Sequence, residues 1–351
     1  MPDLHDTPLY PLQFEPIYKE KVWGGRTMAS ALDRDLPGDE PIGESWELAD
    51  LAATSPSGGG GDTVRSVIAN GPLAGATLHE LIEARGEELV GNLPLTDRGD
   101  FPILVKFLDA RENLSVQVHP SPAYAAEHDD AHLKSEAWYI VEAEEDAVIY
   151  KGIVEGTDPD DFRAALEAND REAVESMMIS VPVRPGDCHY LPSGTCHALG
   201  GGILVAEVQT PSDTTFRVFD WGRTGRQLHI DAAMKCIEFG PPDTSTFERR
   251  SHVAGVFTTV SKLVECEYFR MERVRMSEGY QQEVPYDQPA VWTVLEGAGT
   301  LDPHNTAEPV TFERGQTLLV PAGMDDGTVK LDADTVWLET TFPQATPVRI
   351  A

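Results

Sequence analysis

Leu114-Ser115-Val116-Gln117-Val118-His119-Pro120, followed by Lys134-Ser135-Glu136, is where the chain declares its fold. Leu114 to Val118 alternates apolar and polar residues, the pattern of a half-buried β-strand. Side chains two apart in a strand share a face, so Ser115, Gln117 and His119 point one way. Lys134 and Glu136 also stand two apart, ahead of the apolar run Ala137 to Val141. With both strands lining one barrel, five polar groups converge in its interior. His197 completes the pattern much later in the chain. A closed barrel of about eight antiparallel strands has room inside for one small ligand. Gln, His, Glu and His offer nitrogen and oxygen donors without thiolate. That set suits Zn²⁺ and can hold Mn²⁺, Fe²⁺, Co²⁺ or Ni²⁺.

Working outward, Phe101 to Leu108 reads as an apolar strand interrupted by Lys106, and Ser121 to Leu133 as a short helix and loop. Helical spacing is expected near 77–90, with Thr77 as N-cap and Glu80 completing a capping box. A second helical insertion is expected near 160–178, where Phe162, Ala165, Leu166, Val174, Met177 and Met178 form an apolar stripe. Strands return at Val181 to Leu191, Ile203 to Val208 and Pro211 to Trp221, and a short helix at Ile230 to Phe239. Gly240-Pro241-Pro242 marks the domain boundary. Trp23 and Trp46 are expected on packed strand faces, and Ser57 to Gly61 as a flexible hairpin tip without the GK[ST] of a phosphate loop.

The remaining chain echoes the first part. Gly186 stands six residues before Pro192, and Gly315 six before Pro321. In that register Ala290 falls where Glu136 stands and Asp326 where His197 stands. The expected architecture is mainly β and duplicated: residues 8–240 with the site and the helical insertions, and 245–351 as a second copy without it.

Composition narrows the function. The 351 residues carry a net charge of −32, which repels nucleic acid and anionic membranes, and neither is an expected partner. Any anionic substrate therefore needs a local cluster of Lys and Arg. The 26 prolines and 30 glycines favour short strands joined by turns. Four cysteines without a CxxC pair give neither a disulfide framework nor a thiolate zinc site. With no secretion signal and no long apolar run, a cytoplasmic location is the expectation. Within the candidate site, Lys134 is the expected general base, with a salt bridge to Glu136 as the plainer alternative. Arg217, flanked by Phe216 and Val218, needs a buried partner or an anionic ligand. Asp213 can orient Arg217 or Lys134, or serve as an ordinary turn residue. His128, His132, His189 and Cys196 are left outside the ligand set.

Taken together, KVWGG (21–25), IGESWEL (42–48), and the stretches 66–82, 103–120, 134–140 and 181–223 resemble the type I mannose-6-phosphate isomerases, in their short bacterial form, of the cupin superfamily. The resemblance implies two cupin domains, jelly-roll β-barrels with short helical insertions, the second degenerate. It implies one Zn²⁺ per chain and interconversion of mannose 6-phosphate and fructose 6-phosphate through an enediol, an aldose–ketose isomerisation on a small sugar phosphate. By matching motifs, Gln117, His119, Glu136 and His197 would be the metal ligands. Arg217 would be the active-site arginine, Lys134 the proton-transfer residue and Ser115 a substrate-binding residue. The phosphate would be held by Ser115 and by Lys106 or Arg26. Cys196, where Ile is usual, and the glycine-rich tip at 57–61 depart from the pattern. Another metal-cupin enzyme, such as a dioxygenase or a different sugar-phosphate isomerase, and a non-catalytic sugar-binding cupin are the competing functions.

Overall fold

Alternation around Gln117 produces a short strand, Val116–Val118, that sits inside an antiparallel sheet rather than at its edge. Its neighbours are His197–Leu199 on one side and Phe216–Phe219 on the other, so Gln117 lies opposite both His197 and Arg217. Val148–Ile153 and Met178–Pro182 complete this five-stranded sheet. A second, six-stranded sheet runs in the order Cys188–Leu191, Glu136–Ala143, Ile203–Gln209, Leu104–Ala110, Ile17–Gly25 and Ile42–Leu48. Leu108, Trp138, Ile140 and Val205 of the larger sheet pack with Ile149 and Leu199 of the smaller in one apolar core. Burial of such surface stabilises by roughly 25 cal/mol per Å² and is what holds two sheets face to face. The computed structural model describes residues 2–343 except 59, 249, 285–287 and 325.

Both strands at the centre of the six-stranded sheet, Leu104–Ala110 and Ile203–Gln209, are buried at every residue. Lys106 and Glu207 stand directly opposite each other there, which is how two charges survive in apolar strands. At its other side the strand Ile17–Gly25 bulges, so that Glu20 and Gly25 both align with Ile42. The bulge brings Lys21 and Trp23 over Gly43, where a Cβ would meet Lys21 Cβ at 2.6 Å. Gly43 is thus required by close approach, and Trp23 and Trp46 are buried, as expected.

The chain groups into two compact units. One is Pro16–Arg65 with Asp97–Thr246, the two sheets just described. The other joins Met1–Glu15, Ser66–Thr96 and Phe247–Ala351. The division at 240/245 expected from Gly240-Pro241-Pro242 thus falls a few residues later, at 246/247. Residues 66–96, with the helix Leu78–Val90, group with the C-terminal part. Sequence spacing could not see this, because it follows the chain and not the contacts.

Within the second unit the sheets hold seven and four strands. Ala290–Glu296 pairs with Thr317–Val320 so that Ala290 is opposite Val320. In the first unit Glu136 is opposite Leu191. Each partner immediately precedes its proline, Pro321 or Pro192, so the register read from the two turns holds. Residues 344–351 of the expected second domain lie outside the described residues.

Most helices follow their signals. Leu78–Val90 starts at Thr77 with both halves of the capping box formed, and Pro122–Glu127 starts at Ser121. The insertion near 160–178 is two helices, Pro159–Glu167 and Arg171–Met177. Asn169 takes φ +52° between them and Asp170 caps the second. Met178 is the first residue of a strand, yet remains in the same core as Phe162, Leu166 and Val174. The expected strand Val181–Leu191 is likewise broken by the turn at Gly186, φ +93°.

Candidate metal centre

His119, Glu136 and His197 are each almost wholly buried and converge. His197 reaches the cluster from the five-stranded sheet, and Glu136 opens a strand of the six-stranded sheet. His119 follows Val118 directly. His197 Nε2 lies 3.1 Å from Glu136 Oε1, and His119 Nε2 lies 3.5 Å from Oε2. Gln117 brings its amide to 3.4 Å from His197 Nε2.

Each imidazole is turned by its far nitrogen. His119 Nδ1 sits 2.9 Å from Thr214 O, and His197 Nδ1 2.8 Å from Thr195 O. A carbonyl only accepts, so both Nδ1 atoms carry the proton in this network and both Nε2 lone pairs face the carboxylate. His119 Nε2 and Glu136 Oε1 are buried without a hydrogen-bond partner. Lone pairs aimed at a carboxylate repel unless a cation stands between them. Backbone carbonyls that orient ring nitrogens this way are the usual outer partners of metal-bound histidine. Burial, and then Lys134, push His119 down to about 3, so the ring is neutral and able to ligate at ordinary pH. Burial would raise Glu136, but Lys134 beside it holds the carboxyl well below the usual carboxylate range. The four side chains therefore fit a divalent cation with nitrogen and oxygen ligands.

Beside this cluster, lined by Gln117 and Lys134 among others, lies a cavity of about 210 Å³. Lys134 Nζ lies 2.6 Å from Glu136 Oε2 and 3.8 Å from Glu207 Oε1. The salt bridge weighed from the sequence is thus formed, and the amine has carboxylates on two sides. Glu207 also takes Lys106 at 3.0 Å and the Trp138 indole N–H at 2.7 Å. Lys106 stands 3.9 Å from Glu44, which pairs with Lys21 at 2.9 Å. Burial would raise Glu44, but Lys21 and Lys106 bring it down to about 2. The result is a ladder of alternating charge, Glu136–Lys134–Glu207–Lys106–Glu44–Lys21, along the inside of the larger sheet.

Arg217 lines the same cavity. Its Nε donates to Ser115 Oγ at 3.2 Å and its Nη1 to Gln227 O at 3.0 Å. Ser115 and Arg217 are thus together, and the two hold each other. Asp213 lines the cavity too. Its Oδ1 accepts from Ser55 N at 2.6 Å, tying it to the glycine-rich tip. A Cβ on Gly58 would meet the Asp213 carboxylate at 2.3 Å, so the tip is fitted to that residue; Gly59 lies outside the described residues.

Arg26 is absent from the cavity; its guanidinium donates to the carbonyls of Leu36, Pro37 and Glu40. Lys106 does line the cavity, as do Lys19 and Lys21, which the sequence reading did not single out. Glu207 and Glu44 were missed as well. For Glu207, inside Ile203–Val208, the available signal was a charged residue in an apolar run, as with Arg217. His128 stacks on Tyr124 and His132 meets Arg98, both apart from the cluster. Cys196 turns into the apolar core, where burial pushes its thiol up to about 12. Among the described residues no helix is long and apolar enough to cross a membrane.

Comparison with known proteins agrees in sequence and in fold. Residues 11–149 match the family model for the phosphomannose isomerase type I catalytic domain. A mannose-6-phosphate isomerase of Bacillus subtilis is 34% identical over 325 residues, 90% of this chain and 94% of that protein. One from Streptococcus mutans is 35% identical over 318 residues, 89% and 92% of the two chains. A crystal structure of mannose 6-phosphate isomerase from Bacillus subtilis superposes with a TM-score of 0.81 at 30% identity, covering 95% of this chain and 99% of that one.

Proposed function

The chain belongs to the type I phosphomannose isomerase family, and from that premise we propose that it interconverts mannose 6-phosphate and fructose 6-phosphate through an enediol, with one Zn²⁺ held by Gln117, His119, Glu136 and His197. The observation that carries this is the pair of imidazole lone pairs turned onto a buried carboxylate beside a lysine. When bound, the cation supplies a Lewis acid for the sugar's oxygens.

The rest falls to the chain. Isomerisation breaks the C2–H bond and places its electron pair in a C1–C2 double bond as the C1=O pair moves onto O1; a proton then returns to C1 as C2=O forms, the hydroxyl proton having passed from O2 to O1. Lys134 carries the proton between C2 and C1. Its neighbours Glu136 and Glu207 fix the amine at one spot, so its reach is set before substrate arrives. Arg217, held edge-on by Ser115, meets the negative charge that develops on the sugar oxygens. Ser115 keeps its own hydrogen free for a sugar hydroxyl, since it serves Arg217 as acceptor. Asp213 lines the same cavity and accepts from Ser55 N, which ties the 55–58 turn to it.

A coupled assay for fructose 6-phosphate made from mannose 6-phosphate tests the reading. Activity should vanish with a strong chelator and return with Zn²⁺. Full activity in rigorously metal-free protein would refute the metal assignment, and no turnover in the metal-loaded protein would refute the isomerase reading. Oxygen uptake by an iron-loaded sample would point to the rival oxygenase chemistry.

A further inference from the structure

Six basic and three acidic side chains line the cavity, in a chain where Asp and Glu outnumber Lys and Arg by 59 to 27. Five of the six bases are already engaged. Lys134 is paired with Glu136, Lys106 with Glu207 and Lys21 with Glu44. Arg226 Nε donates to Asp220 Oδ2 at 2.8 Å, and Arg217 is taken by Ser115 and a carbonyl. Lys19 is the exception. Its amine lies 4.4 Å over the centre of the Trp46 ring and forms no ion pair among the described residues. Burial pushes this amine down; Glu44 and Asp213 offset part of that, while Lys21 and Lys106 add to it. A half-buried cation resting on an indole face, without an ion pair of its own, is the arrangement an incoming anion completes.

Its position suits one end of a hexose 6-phosphate. Lys106 Nζ stands 5.7 Å from the same Trp46 ring, and from Lys106 the charge ladder runs through Glu207 to Lys134. Lys19 is therefore separated from the amine beside Glu136 by Trp46, Lys106 and Glu207. A substrate whose C1 and C2 lie at Lys134 carries its phosphate at the far end of a six-carbon chain. The Trp46 indole is itself fixed, its N–H donating to Glu44 Oε2 at 2.7 Å, so the platform under Lys19 does not turn. A phosphate monoester near neutral pH bears about −1.5 to −2 charge, and lysine is a common point-charge partner for it.

We propose that Lys19, seated on the Trp46 indole, is the main holder of the substrate's phosphate and makes this end of the cavity a site for phosphate monoesters. The proposal rests on the isomerase reading for the identity of the sugar, though not for the anion. Lys21 assists at short range while remaining paired with Glu44.

The test uses metal-loaded full-length protein, Lys19→Met and Lys19→Arg, with melting temperature and metal content as controls on folding. Two readouts are taken: calorimetric binding of inorganic phosphate, and the split between KM and kcat for mannose 6-phosphate. Lys19→Met should weaken phosphate binding and raise KM, each by roughly 10- to 100-fold, the scale of one partly buried charge-assisted contact. Lys19→Arg should recover most of both. Wild-type turnover with unchanged KM and phosphate affinity in Lys19→Met would overturn the proposal and leave the isomerase reading standing. Absence of wild-type turnover, with phosphate binding still lost in Lys19→Met, would sink the isomerase reading and leave the anion site. A fall in kcat alone would also overturn the proposal, by assigning Lys19 to the chemistry.

Discussion

Removing the His197 imidazole takes away a ring held by Thr195 O and aimed at Glu136, and leaves the buried carboxylate with only His119 and Lys134 beside it. His197→Ala should lose both bound metal and activity, measured together by metal analysis and the coupled assay. Gln117→Ala should weaken both less, since a neutral amide oxygen is a poorer donor than imidazole or carboxylate. Arg217→Ala should lose on the order of 10²–10³-fold in kcat while keeping its metal, the range for one oxyanion partner removed. Lysine cannot replace it, because Nε and Nη1 reach two different acceptors at once. Glu44 gives a pH signature. Its carboxyl sits near 2 in the folded protein against 4.5 in the open chain, so it stabilises fully above pH 4.5 and loses that contribution as pH falls toward 2. The stability gap between wild type and Glu44→Gln, followed by urea unfolding, should be full at pH 7 and shrink below pH 4.5. These residues were unequally legible. Gln117, His119, Glu136 and His197 showed in the sequence because period-2 spacing and a turn fix their faces. Glu207, Glu44 and Lys19 did not, because what gives a buried charge its meaning is the partner across the sheet. That partner is set by register, not by neighbours in sequence.

Elements carry a different kind of information. The helix Leu78–Val90 is readable because its start is a local reciprocal bond: Glu80 N donates to Thr77 Oγ1 at 3.2 Å, and Thr77 N donates to Glu80 Oε2 at 2.8 Å. Thr77→Ala should cost about 1 kcal/mol, read from the urea midpoint, and Thr77→Ser should restore it. Between 160 and 178 the apolar stripe was equally plain and the element was still misread as one helix. Helical periodicity survives a break when both pieces face the same core, as Phe162, Leu166 and Val174 do. The break was legible only in the capping residue Asp170 after Asn169. Strand ends were blurred likewise. Pro211 to Trp221 yields only Phe216–Phe219 as strand, because the segment before it is spent on side-chain and carbonyl contacts, with Thr214 serving both His119 and His132.

For the molecule as a whole, the duplicated register predicts an asymmetry of chemistry. Ala290 repeats the position of Glu136 and is buried without a donor, and Asp326 is exposed. Purified protein should therefore bind one metal ion per chain; a second ion traced to residues beyond 247 would refute the degenerate second copy. The interleaving of the units escaped sequence reading because Leu12 finds its partner, Leu319, at the opposite end of the chain. On the ribosome, that pairing sets an order of events. Domains usually mature from the N-terminus onward as they are synthesised. Here the first strand must wait until almost the whole polypeptide has been made, whereas everything needed by the unit of Pro16–Arg65 and Asp97–Thr246 has already emerged. The unit formed by Pro16–Arg65 and Asp97–Thr246 can thus close while Leu12–Gln13 is still unpaired, and a nascent chain stalled once residue 246 has left the ribosomal tunnel, but before Leu319 is made, should already protect His119 and His197 from modification.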